Sequence, residues 1–356
     1  MATLADSGSR PLRPQPDERP LVSVIIVNWN GANHLPECLA SVVRQTYPHL
    51  EVIVVDNGST DDSAAFLRNA YGSRISLIEV GENLGFAGGN NLGIRTAKGA
   101  YVALLNNDAV ARPTWIEALV RAAESDPRVG MCASRIYVYG MTGVLDGAGL
   151  LLSLDGIGRG RGRLERDGVF EREEEVLLPS GCAALYRRAM LDEIGLFDED
   201  FFAYCEDSDL GLRARIAGWR CRYVPDAVVH HKYSGSTAPY SAFKAFHVER
   251  NRIWLVVKCF PWHLIVASVL FTPLRYAVQA YGALRGRGAA GRMAQGTPLL
   301  TMAGILLRAW AAALTRLPLM LRRRRQVQSL RRISARELSR WLRAHRVGLR
   351  ELALKD

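Results

Sequence analysis

Between residues 21 and 106, short apolar runs alternate with segments whose apolar residues recur at helical spacing. The runs are rich in β-branched residues and read LVSVIIVN, EVIVVD, ISLIEV and YVALLN. Such runs are typical of strands buried on both faces of a sheet. The segments between them are HLPECLASVVRQ, DDSAAFLRNA and AGGNNLGIRTA. This alternation predicts an α/β fold with a mixed, mostly parallel sheet and helices on both faces.

After the fourth predicted strand the pattern becomes less regular. Glycines, arginines and a run of acids crowd residues 140–178, which predicts a mobile loop or an irregular region. GCAALYRRAMLDEIG then predicts a strand that leads into a helix, and a further helix is expected to end near Gly218. The segment CRYVPDAVVHH predicts short strands.

Past Arg250 the chain becomes strongly apolar, with interleaved tryptophans and arginines. Two apolar segments lack the 18 or more uninterrupted apolar residues that are typical of a spanning helix. The interrupting residues are Pro261, Pro273 and Arg275 in the first segment and Arg308 and Arg316 in the second. Residues 321–346 add ten arginines against one acid, Glu337. We therefore expect interfacial amphipathic helices that bind an anionic membrane surface, with a helical packing or dimer module as the alternative.

Charge, cysteines and the first residues narrow the class further. The net charge of +11 favours anionic partners, either lipid headgroups or nucleic acid. The six cysteines are scattered without a CxxC pair, which predicts reduced thiols in a cytosolic compartment. Residues 1–20 contain no apolar run and many prolines, arginines and acids, so they predict a disordered leader rather than a signal peptide.

Polar residues stand where three of the predicted strands end. Asn28 and Asn30 follow the first strand, Asp56 ends the second, and Asn106-Asn107-Asp108 end the fourth. Each could be a turn or cap residue. Because the carboxyl ends of parallel strands share one edge of a sheet, three such ends favour a ligand crevice.

The ordered motifs of the chain resemble those of family 2 glycosyltransferases, in particular the bacterial rhamnosyltransferase-like and galactofuranosyltransferase-like subgroup. The motifs are VSVIIVNWNG, VVDNGSTD, ENLGFAGGNNLGI, LLNNDAVARP, GCAALYRR, GLFDEDFFAYCEDSDLGLRARIAGW and HHKYSGST. The resemblance covers residues 21–258. It implies a GT-A fold, which is the Rossmann-like fold of nucleotide-diphospho-sugar transferases. It also implies a nucleotide-sugar donor, a divalent metal (Mg²⁺ or Mn²⁺) and transfer with inversion.

The resemblance implies a metal site with an altered motif. The family's Asp-x-Asp is replaced by Asn106-Asn107-Asp108, so Asp108 is the remaining carboxylate and Asn106 helps through an amide oxygen or a water. One carboxylate can suffice, because Mg²⁺ and Mn²⁺ keep waters and bridge substrate phosphates. The family's histidine ligand falls on His231, with His230 as the competing choice.

The resemblance also places a general base in CEDSDL. The base is Asp207, Glu206 is its neighbour, and Asp209 and Arg213 are supporting residues, Arg213 on the donor side. A carboxylate beside the acceptor can take the proton of its hydroxyl as the new bond forms. The alternative for an acidic cluster before a helix is capping of the helix dipole.

The remaining implied contacts hold the nucleotide-sugar. Gly88 and Gly89 let the backbone approach the nucleotide, and Asn83 and Asn90 hold the base or the loop. Asp56 accepts from the pyrimidine or the ribose, Asn30 lies near the same base, and Asn28 and Asn107 complete the set. The chain has neither GxGxxG after a strand nor a P-loop sequence.

These expectations define three regions and one leading function. Residues 21–258 form the catalytic domain, with a nucleotide-binding half (21–110) and an acceptor half (111–258), and residues 259–356 form a helical, membrane-associating region. We expect an inverting glycosyltransferase at the cytoplasmic face of a bacterial membrane, active in cell-surface polysaccharide synthesis. Its preferred donor is dTDP-rhamnose, with a UDP-sugar close behind, and its acceptor is a glycan or lipid-linked hydroxyl. A homo-oligomer is left open.

Three other functions were weighed. A nucleotidyltransferase needs a basic, glycine-rich signature after the first strand, which NWNGANH does not supply. A basic nucleic-acid-binding protein is disfavoured by the apolar segments within residues 253–321, so no nucleic acid is expected. A non-catalytic scaffold that binds sugar nucleotides remains the alternative, because of the Asn-Asn-Asp sequence.

Overall fold

The computed structural model describes residues 19–232 and 241–354. Residues 1–18 of the predicted leader and residues 233–237 of HHKYSGST lie outside the described residues. The strands are β1 (Val22–Asn28), β2 (Leu50–Asn57), β3 (Ser76–Val80), β4 (Tyr101–Leu105), β5 (Ala109–Ala111), β6 (Val129–Val138), β7 (Leu145–Ala148), β8 (Leu150–Leu152), β9 (Gly158–Gly160), β10 (Glu174–Glu175), β11 (Ala183–Arg187) and β12 (Arg220–His231). The helices are α1 (Leu35–Val43), α2 (Ser63–Tyr71), α3 (Gly85–Thr96), α4 (Trp115–Glu124), α5 (Arg188–Ile194), α6 (Glu206–Ile216), α7 (Ala242–Cys259), α8 (Trp262–Leu284), α9 (Gly288–Gly296), α10 (Leu299–Thr315), α11 (Leu317–Ser329), α12 (Ala335–Ala344) and α13 (Leu349–Leu354).

One mixed sheet forms the centre of the α/β part. Its strand order is β10-β12-β6-β11-β4-β1-β2-β3, with β5 paired to β12 and β7 paired to β6. The block β4-β1-β2-β3 is parallel, and the antiparallel strand β11 joins it to the parallel pair β6 and β12. The ends of β1, β2 and β4 therefore meet at one edge, as the pattern predicted.

Helices cover both faces of the sheet, which explains the continuous apolar runs. Val24 and Ile26 of β1 pack into a core with residues of α1 and α4. Ile25, between them, packs on the other side with residues of α3, α5 and α6. All three side chains are fully buried. Because helices cover both faces of the strand, every side chain of the run is buried, and consecutive apolar β-branched residues are favoured.

The segment 140–178 is more regular than expected. It contributes the four short strands β7 to β10, so the expectation of an irregular region is wrong. Polar contacts support it: Arg161 stacks 4.1 Å from the ring centre of Phe170, and Arg135 pairs with Glu171 at 2.5 Å. Strands held by cation–π and ionic contacts have no alternating apolar pattern in their sequence. The sequence pattern therefore did not predict these strands.

The segment CRYVPDAVVHH forms part of one long strand, not several short ones. β12 has 12 residues, and its register against β6 shifts between Val224 and Val228. This irregularity spans Pro225, which has no N–H to donate to the ladder. The bulge lets the strand continue to His231 at the sheet edge.

The helix α8 runs through two of the residues expected to interrupt it. Pro273 and Arg275 both lie inside the helix, so that part of the expectation is wrong. Among the described residues, α8 is the one helix long and apolar enough to cross a membrane, judged by length and composition alone. The helices α9 and α10 pass the same test only as a pair bent by 118°.

The C-terminal helices share a core with the sheet domain. Trp254 of α7 and Leu338 of α12 belong to the same buried cluster as Phe201 and Leu212. The helix α7 ends at Cys259, next to the predicted boundary between residues 258 and 259. The division into a catalytic domain and a membrane-associating region stays a prediction.

Candidate active site

Polar side chains at the ends of β1, β2 and β4 form a hydrogen-bonded chain. Asn28 donates from Nδ2 to Asp56 Oδ1 at 3.1 Å, and its Oδ1 accepts from Asn107 Nδ2 at 2.8 Å. All three side chains are buried. Gly31 packs directly against the two asparagines, and no larger residue fits there. A Cβ on Gly31 would lie 2.4 Å from Asn28 Oδ1 and 2.2 Å from Asn107 Nδ2. The structure thus brings the three residues together, and their contact with a donor stays a prediction.

Asn30 is exposed and links the loop after β1 to the loop after β2. Its backbone N–H donates to Ser59 Oγ at 2.9 Å, and its Oδ1 accepts from the N–H of Thr60 at 2.7 Å. Its φ of 50° lies in the left-handed region, where asparagine is one of the tolerated residues. Asn30 is exposed to solvent at the sheet edge, and its predicted contact with the nucleotide base stays a prediction.

The glycines of α3 allow the helix to pack tightly. A Cβ on Gly89 would lie 2.7 Å from Val27 Cγ1 of β1, and a Cβ on Gly88 would lie 2.8 Å from Leu84 Cβ. A side chain at Gly89 would push the helix away from the sheet, and one at Gly88 would collide with Leu84, the residue just before the helix. The structure therefore gives both glycines a packing reason, and the expected approach of a nucleotide to their backbone stays a prediction.

Asn83 and Asn90 make their hydrogen bonds within the protein. Asn83 Oδ1 accepts from the N–H of Gly85 at 2.8 Å and from Asn57 Nδ2 at 3.0 Å. Asn90 is buried and donates to the carbonyl of Phe86, one turn earlier in α3, at 2.8 Å. Of the two predicted roles, holding the loop and holding the base, these bonds support the first.

Two carboxylates flank the ring of His231. Its Nδ1 lies 2.7 Å from Asp146 Oδ2, and its Nε2 lies 3.3 Å from Asp108 Oδ1. Burial by itself lowers the pKa of His231, but the neighbouring Cys182 sulfur and the bonds to both carboxylates outweigh burial and raise it well above its usual range. The competing candidate, His230, points elsewhere and stacks on Tyr137.

The pair of Asp108 and His231 fits a divalent cation that takes its other ligands from phosphate oxygens and water. Neighbouring ligands of an octahedral ion at about 2.1 Å lie about 3.0 Å apart, close to the 3.3 Å between these two atoms. Asp146 forms a hydrogen bond with the other ring nitrogen of His231, as carboxylates commonly do with histidines that bind a metal. Within residues 19–232 and 241–354, no three His, Cys, Asp or Glu side chains form a group that could hold a metal.

Asn106 contributes its backbone to the same edge. Its N–H donates to the carbonyl of Cys182 at 2.9 Å, and its carbonyl accepts from the N–H of Ala109 at 3.1 Å. These bonds fix the turn that presents Asn107 and Asp108. The expected help of the Asn106 amide to a metal stays a prediction.

Asp207 lies on the first turn of α6, with both carboxylate oxygens held by donors. Oδ2 accepts from the N–H of Gly181 at 3.1 Å, and Oδ1 accepts from the N–H of Ser208 at 2.6 Å. Burial raises the pKa of Asp207, although these hydrogen bonds oppose the shift. Because Cys182 bonds Asn106 and Gly181 bonds Asp207, adjacent residues connect the metal edge to the candidate base.

Glu206 is a buried acid beside the base. Its Oε2 has no hydrogen-bond partner among residues 19–232 and 241–354, and the side chain is 6% exposed. Burial and the neighbouring charge of Asp207 raise the pKa of Glu206 well above its usual range. A protonated Glu206 can therefore stand next to Asp207 without repelling its charge.

Asp209 and Arg213 form part of a buried ionic cluster. Asp209 is fully buried and pairs with Arg213 at 2.8 Å and with Lys258 at 2.7 Å. Arg213 also donates to the carbonyls of Ile194 and Leu196. These partners occupy both side chains inside the protein, so the structure favours positioning of α6 over the predicted contacts with substrate.

The loop before α6 holds an unfavourable backbone conformation. Phe202, Tyr204 and Cys205 have φ values of 63°, 69° and 68°, in a region that costs non-glycine residues roughly 1–3 kcal/mol each. The fully buried Asn251 of α7 holds this loop: its Nδ2 lies 2.8 Å from the carbonyl of Phe201 and 2.7 Å from that of Tyr204. The orientation of Asp207 therefore depends on Asn251, which belongs to the next helix, α7.

One cavity joins the candidate base to the candidate metal ligand. Glu206, Asp207, Asp146 and His231 line it, and its volume is about 870 Å³. Sites for small ligands have volumes of about 300–1,000 Å³. A candidate acid–base residue and a candidate metal ligand in one such cavity can act on the two ends of a group-transfer reaction.

Sequence reasoning missed several residues that shape this site. Asp146 lies in the segment expected to be irregular, and Gly181 was noted only as part of a strand entry. A Cβ on Gly181 would lie 3.0 Å from Phe86 Cζ and 3.4 Å from Asp207 Cβ. Asn251 lies in the charged run Glu249–Arg252 of α7, so the sequence gives no sign that its amide is buried, which only the structure shows.

Comparisons with known proteins identify the kind of domain that the chain contains. Residues 23–195 match the family described as Glycosyl transferase family 2. An uncharacterised glycosyltransferase of Haemophilus influenzae is 35% identical over 121 residues, 33% of this chain and 38% of that protein, so less than two thirds of the relative is spanned. The N-acetylglucosaminyl-diphospho-decaprenol L-rhamnosyltransferase of Mycobacterium tuberculosis is 29% identical over 288 residues, 74% of this chain and 91% of that protein.

A solved structure shows the same fold. The mannosyltransferase PcManGT of Pyrobaculum calidifontis, in complex with GDP-Man and Mn²⁺, has a TM-score of 0.52 and 22% identity to this chain. The superposition covers 91% of this chain and 89% of that one. The fold is that of the GT-A glycosyltransferases, and residues 23–195 of the chain are a glycosyltransferase family 2 domain.

Proposed function

We propose that the protein transfers a sugar, with inversion, from a nucleotide-sugar to a hydroxyl group of a glycan acceptor. The observation that carries this proposal is the single cavity shared by Asp207 and the His231–Asp146 pair. The polar ends of β1, β2 and β4 lie at the sheet edge where open α/β folds bind ligands. A diphosphate leaving group and an acceptor hydroxyl need these two kinds of group on opposite sides of the sugar.

On the donor side, the residues at the sheet edge prepare a place for the diphosphate. Asp108 and His231 would hold a divalent cation, Mg²⁺ or Mn²⁺, which neutralises the charge of the departing nucleoside diphosphate when bound. Asp146 keeps His231 Nδ1 occupied, so that Nε2 faces Asp108. The bonds among Asn28, Asp56 and Asn107 fix the strand ends before the donor arrives.

On the acceptor side, Asp207 acts as the general base. It accepts the proton of the acceptor hydroxyl while the acceptor oxygen bonds to the anomeric carbon and the bond to the diphosphate breaks. Attack from the face opposite the leaving group inverts the anomeric configuration. Gly181 and Ser208 hold the carboxylate in place, and its raised pKa makes it a better base than an exposed aspartate.

For the donor, we propose dTDP-rhamnose, with a UDP-sugar as the second choice. The support comes from the Mycobacterium tuberculosis relative, whose name specifies L-rhamnosyl transfer. The same name specifies an N-acetylglucosaminyl group on a diphospho-decaprenol carrier, which supports a lipid-linked acceptor. Synthesis of a cell-surface polysaccharide would use such an acceptor.

The outward face of α8 supports a location at the cytoplasmic surface of the membrane. Its polar residues Ser268, Thr272 and Arg275 are buried against the protein, whereas its apolar residues face outward. Val269 is 63% exposed and Leu270 is 75% exposed. On a helix at a water-exposed protein surface, the apolar side chains are buried and the polar ones face outward, which is the reverse of α8. An outward apolar face of this kind is favourable in contact with lipid. The arginines of α11 and α12 add attraction to anionic headgroups.

The experiment that tests the proposal is calorimetric titration of the purified protein with dTDP, UDP and GDP, with and without Mn²⁺. We expect tight, Mn²⁺-dependent binding of dTDP or UDP and turnover of the matching sugar nucleotide. Binding that ignores Mn²⁺ would remove the metal role of Asp108 and His231. Binding without turnover on any acceptor would favour the non-catalytic scaffold instead.

A further inference from the structure

The cavity beside Asp207 continues between the C-terminal helices, where its wall changes character. Most of the side chains that α8, α9 and α10 contribute to this wall are small or apolar, and the polar exceptions are Arg275, Tyr276 and Gln279 of α8. The small and apolar side chains include Ala283, Met293, Leu299, Met302, Ala303 and Leu306. These small and apolar side chains offer no hydrogen-bond partners to the hydroxyl groups of a sugar, so this part of the cavity suits an apolar ligand.

The apolar wall is continuous with the exposed apolar surface of the same helices. Leu299 lines the cavity and is itself 53% exposed. Leu300, next to it on α10, is 88% exposed, and Leu274 on α8 is 54% exposed. An apolar path therefore runs from the outer surface of α8 and α10 into the cavity that contains the candidate base.

Charged side chains line the same cavity. Arg163 pairs with Asp146, Arg159 lies 3.4 Å from Glu351, and Lys244 lies over the ring of Tyr204. With Arg275 these make four Lys and Arg side chains, and the cavity thus combines cations, carboxylates that include the candidate base, and a largely apolar wall. Its complement is a molecule with a hydroxylated head, an anionic link and an apolar chain.

We propose that the apolar part of this cavity holds the isoprenoid chain of the acceptor, whose glycan is linked to that chain through a diphosphate. This inference rests on the proposed function, because it assigns the glycan head of the same acceptor to Asp207. A diphosphate carries a single isoprenoid chain, and a single chain suits a cavity enclosed between three helices. The chain enters from the apolar surface of α8 and α10, so the lipid need not leave the membrane completely to reach the site.

The test fills the cavity with a larger side chain and measures binding of farnesyl diphosphate, a soluble isoprenoid diphosphate. Ala283→Trp on α8 and Ala303→Trp on α10 place an indole where the chain would lie. Ala277→Trp is the matched control, since Ala277 is an exposed residue of α8 outside the cavity lining. Nucleoside diphosphate binding, measured on each variant, reports that the fold is intact.

We expect farnesyl diphosphate to bind the unaltered protein and the Ala277 variant equally. Both cavity variants should bind it at least about tenfold more weakly, while their nucleotide affinity is unchanged. Equal affinity in all four proteins, or no more affinity for farnesyl diphosphate than for pyrophosphate, would overturn the inference. Because these measurements need no turnover, failure of the proposed transfer reaction would appear separately, as binding without catalysis.

Discussion

At the scale of single residues, the site depends on carboxylates whose partners define distinct tasks. Asp56 joins the strand ends, Asp108 faces an imidazole nitrogen, Asp146 orients that imidazole, and Asp207 is held by two N–H donors. Asp209 is neutralised inside the protein by two cations. The type of side chain is the same throughout, so position and partners decide what each carboxylate can do.

The first prediction concerns the base. Asp207→Asn keeps the size of the side chain but removes the proton acceptor, so kcat should fall about 10²–10⁴-fold. Nucleotide affinity, measured by calorimetry, should change less than about twofold because the residue lies on the acceptor side. Asp192→Asn alters an exposed acid of α5 and serves as the control. A variant of Asp207 that retains full activity would remove it from the mechanism.

The second prediction concerns pH. Asp207 works when deprotonated, and its raised pKa means that activity is lost, as pH falls, at a higher pH than for an ordinary aspartate near about 3.9. Ser208 Oγ lies 3.2 Å from Asp207 Oδ1, and this bond stabilises the charged form. Ser208→Ala should therefore move the acid limb of kcat/KM to higher pH. An unmoved limb would mean that another group controls it.

The third prediction concerns the residue behind the histidine. Asp146→Asn removes the charge that orients His231, so Mn²⁺ should bind about 10–100-fold more weakly in the presence of nucleoside diphosphate. Titration followed by the electron paramagnetic resonance of free Mn²⁺ measures this directly. Nucleotide affinity without metal should be unaffected. Mn²⁺ affinity equal to that of the unaltered protein would show that Asp146 has a different task.

At the scale of elements, α8 is fixed to the sheet domain by buried charges. Arg275 is 2% exposed, donates to Asp155 Oδ2 at 2.7 Å, and contacts Glu249 Oε2 at 3.0 Å. Asp155 belongs to the loop between β8 and β9, and Glu249 belongs to α7. Ionic bonds between three separate segments therefore set where α8 lies over the cavity.

The fourth prediction tests this attachment. Arg275→Met leaves two buried carboxylates with less compensation, so the free energy of unfolding should fall by about 3–5 kcal/mol. Arg285→Met, at the exposed end of the same helix, should change it by less than about 0.5 kcal/mol. Urea denaturation of both variants gives the comparison. A small effect at Arg275 would mean that α8 is held mainly by its apolar contacts.

At the scale of the whole molecule, a catalytic edge and an apolar surface are joined by one cavity. The sheet supplies the strand ends, and the C-terminal helices supply both the cavity wall and the outward apolar face. A soluble protein rarely exposes many large apolar residues together, because contact with water is unfavourable. The arrangement suits an enzyme that works on a membrane-bound acceptor.

The fifth prediction addresses the membrane surface. The protein should co-sediment with vesicles that contain phosphatidylglycerol, and more weakly as salt increases, since the arginines contribute electrostatic attraction. Leu270→Glu combined with Leu300→Glu should reduce the bound fraction severalfold by placing charges on the apolar face. Val43→Glu, on the exposed side of α1, is the control. Unchanged binding in the double variant would direct attention to a protein partner.

The local pattern of the sequence was sufficient to predict the fold class, the polar residues at the strand ends and the order of the motifs. Buried parallel strands need apolar side chains on both faces, so their runs are visible in any window of the sequence. Carboxyl ends of such strands share one edge, which is why Asn28, Asp56 and Asn107 could be grouped before any contact was known. The pairing of β12 with β6 and β5 then carried His231 to Asp108, as the resemblance implied.

Only the tertiary structure decided which polar residues face the cavity and which face each other. Asp207 and Asp209 are two residues apart on one helix turn, yet one lines the cavity and the other pairs with Lys258 from α7. Asp146 and Asn251 join the site from segments that carry no motif. The reason is physical: a carboxylate's role is set by the charges and donors around it, and distant parts of the chain supply those.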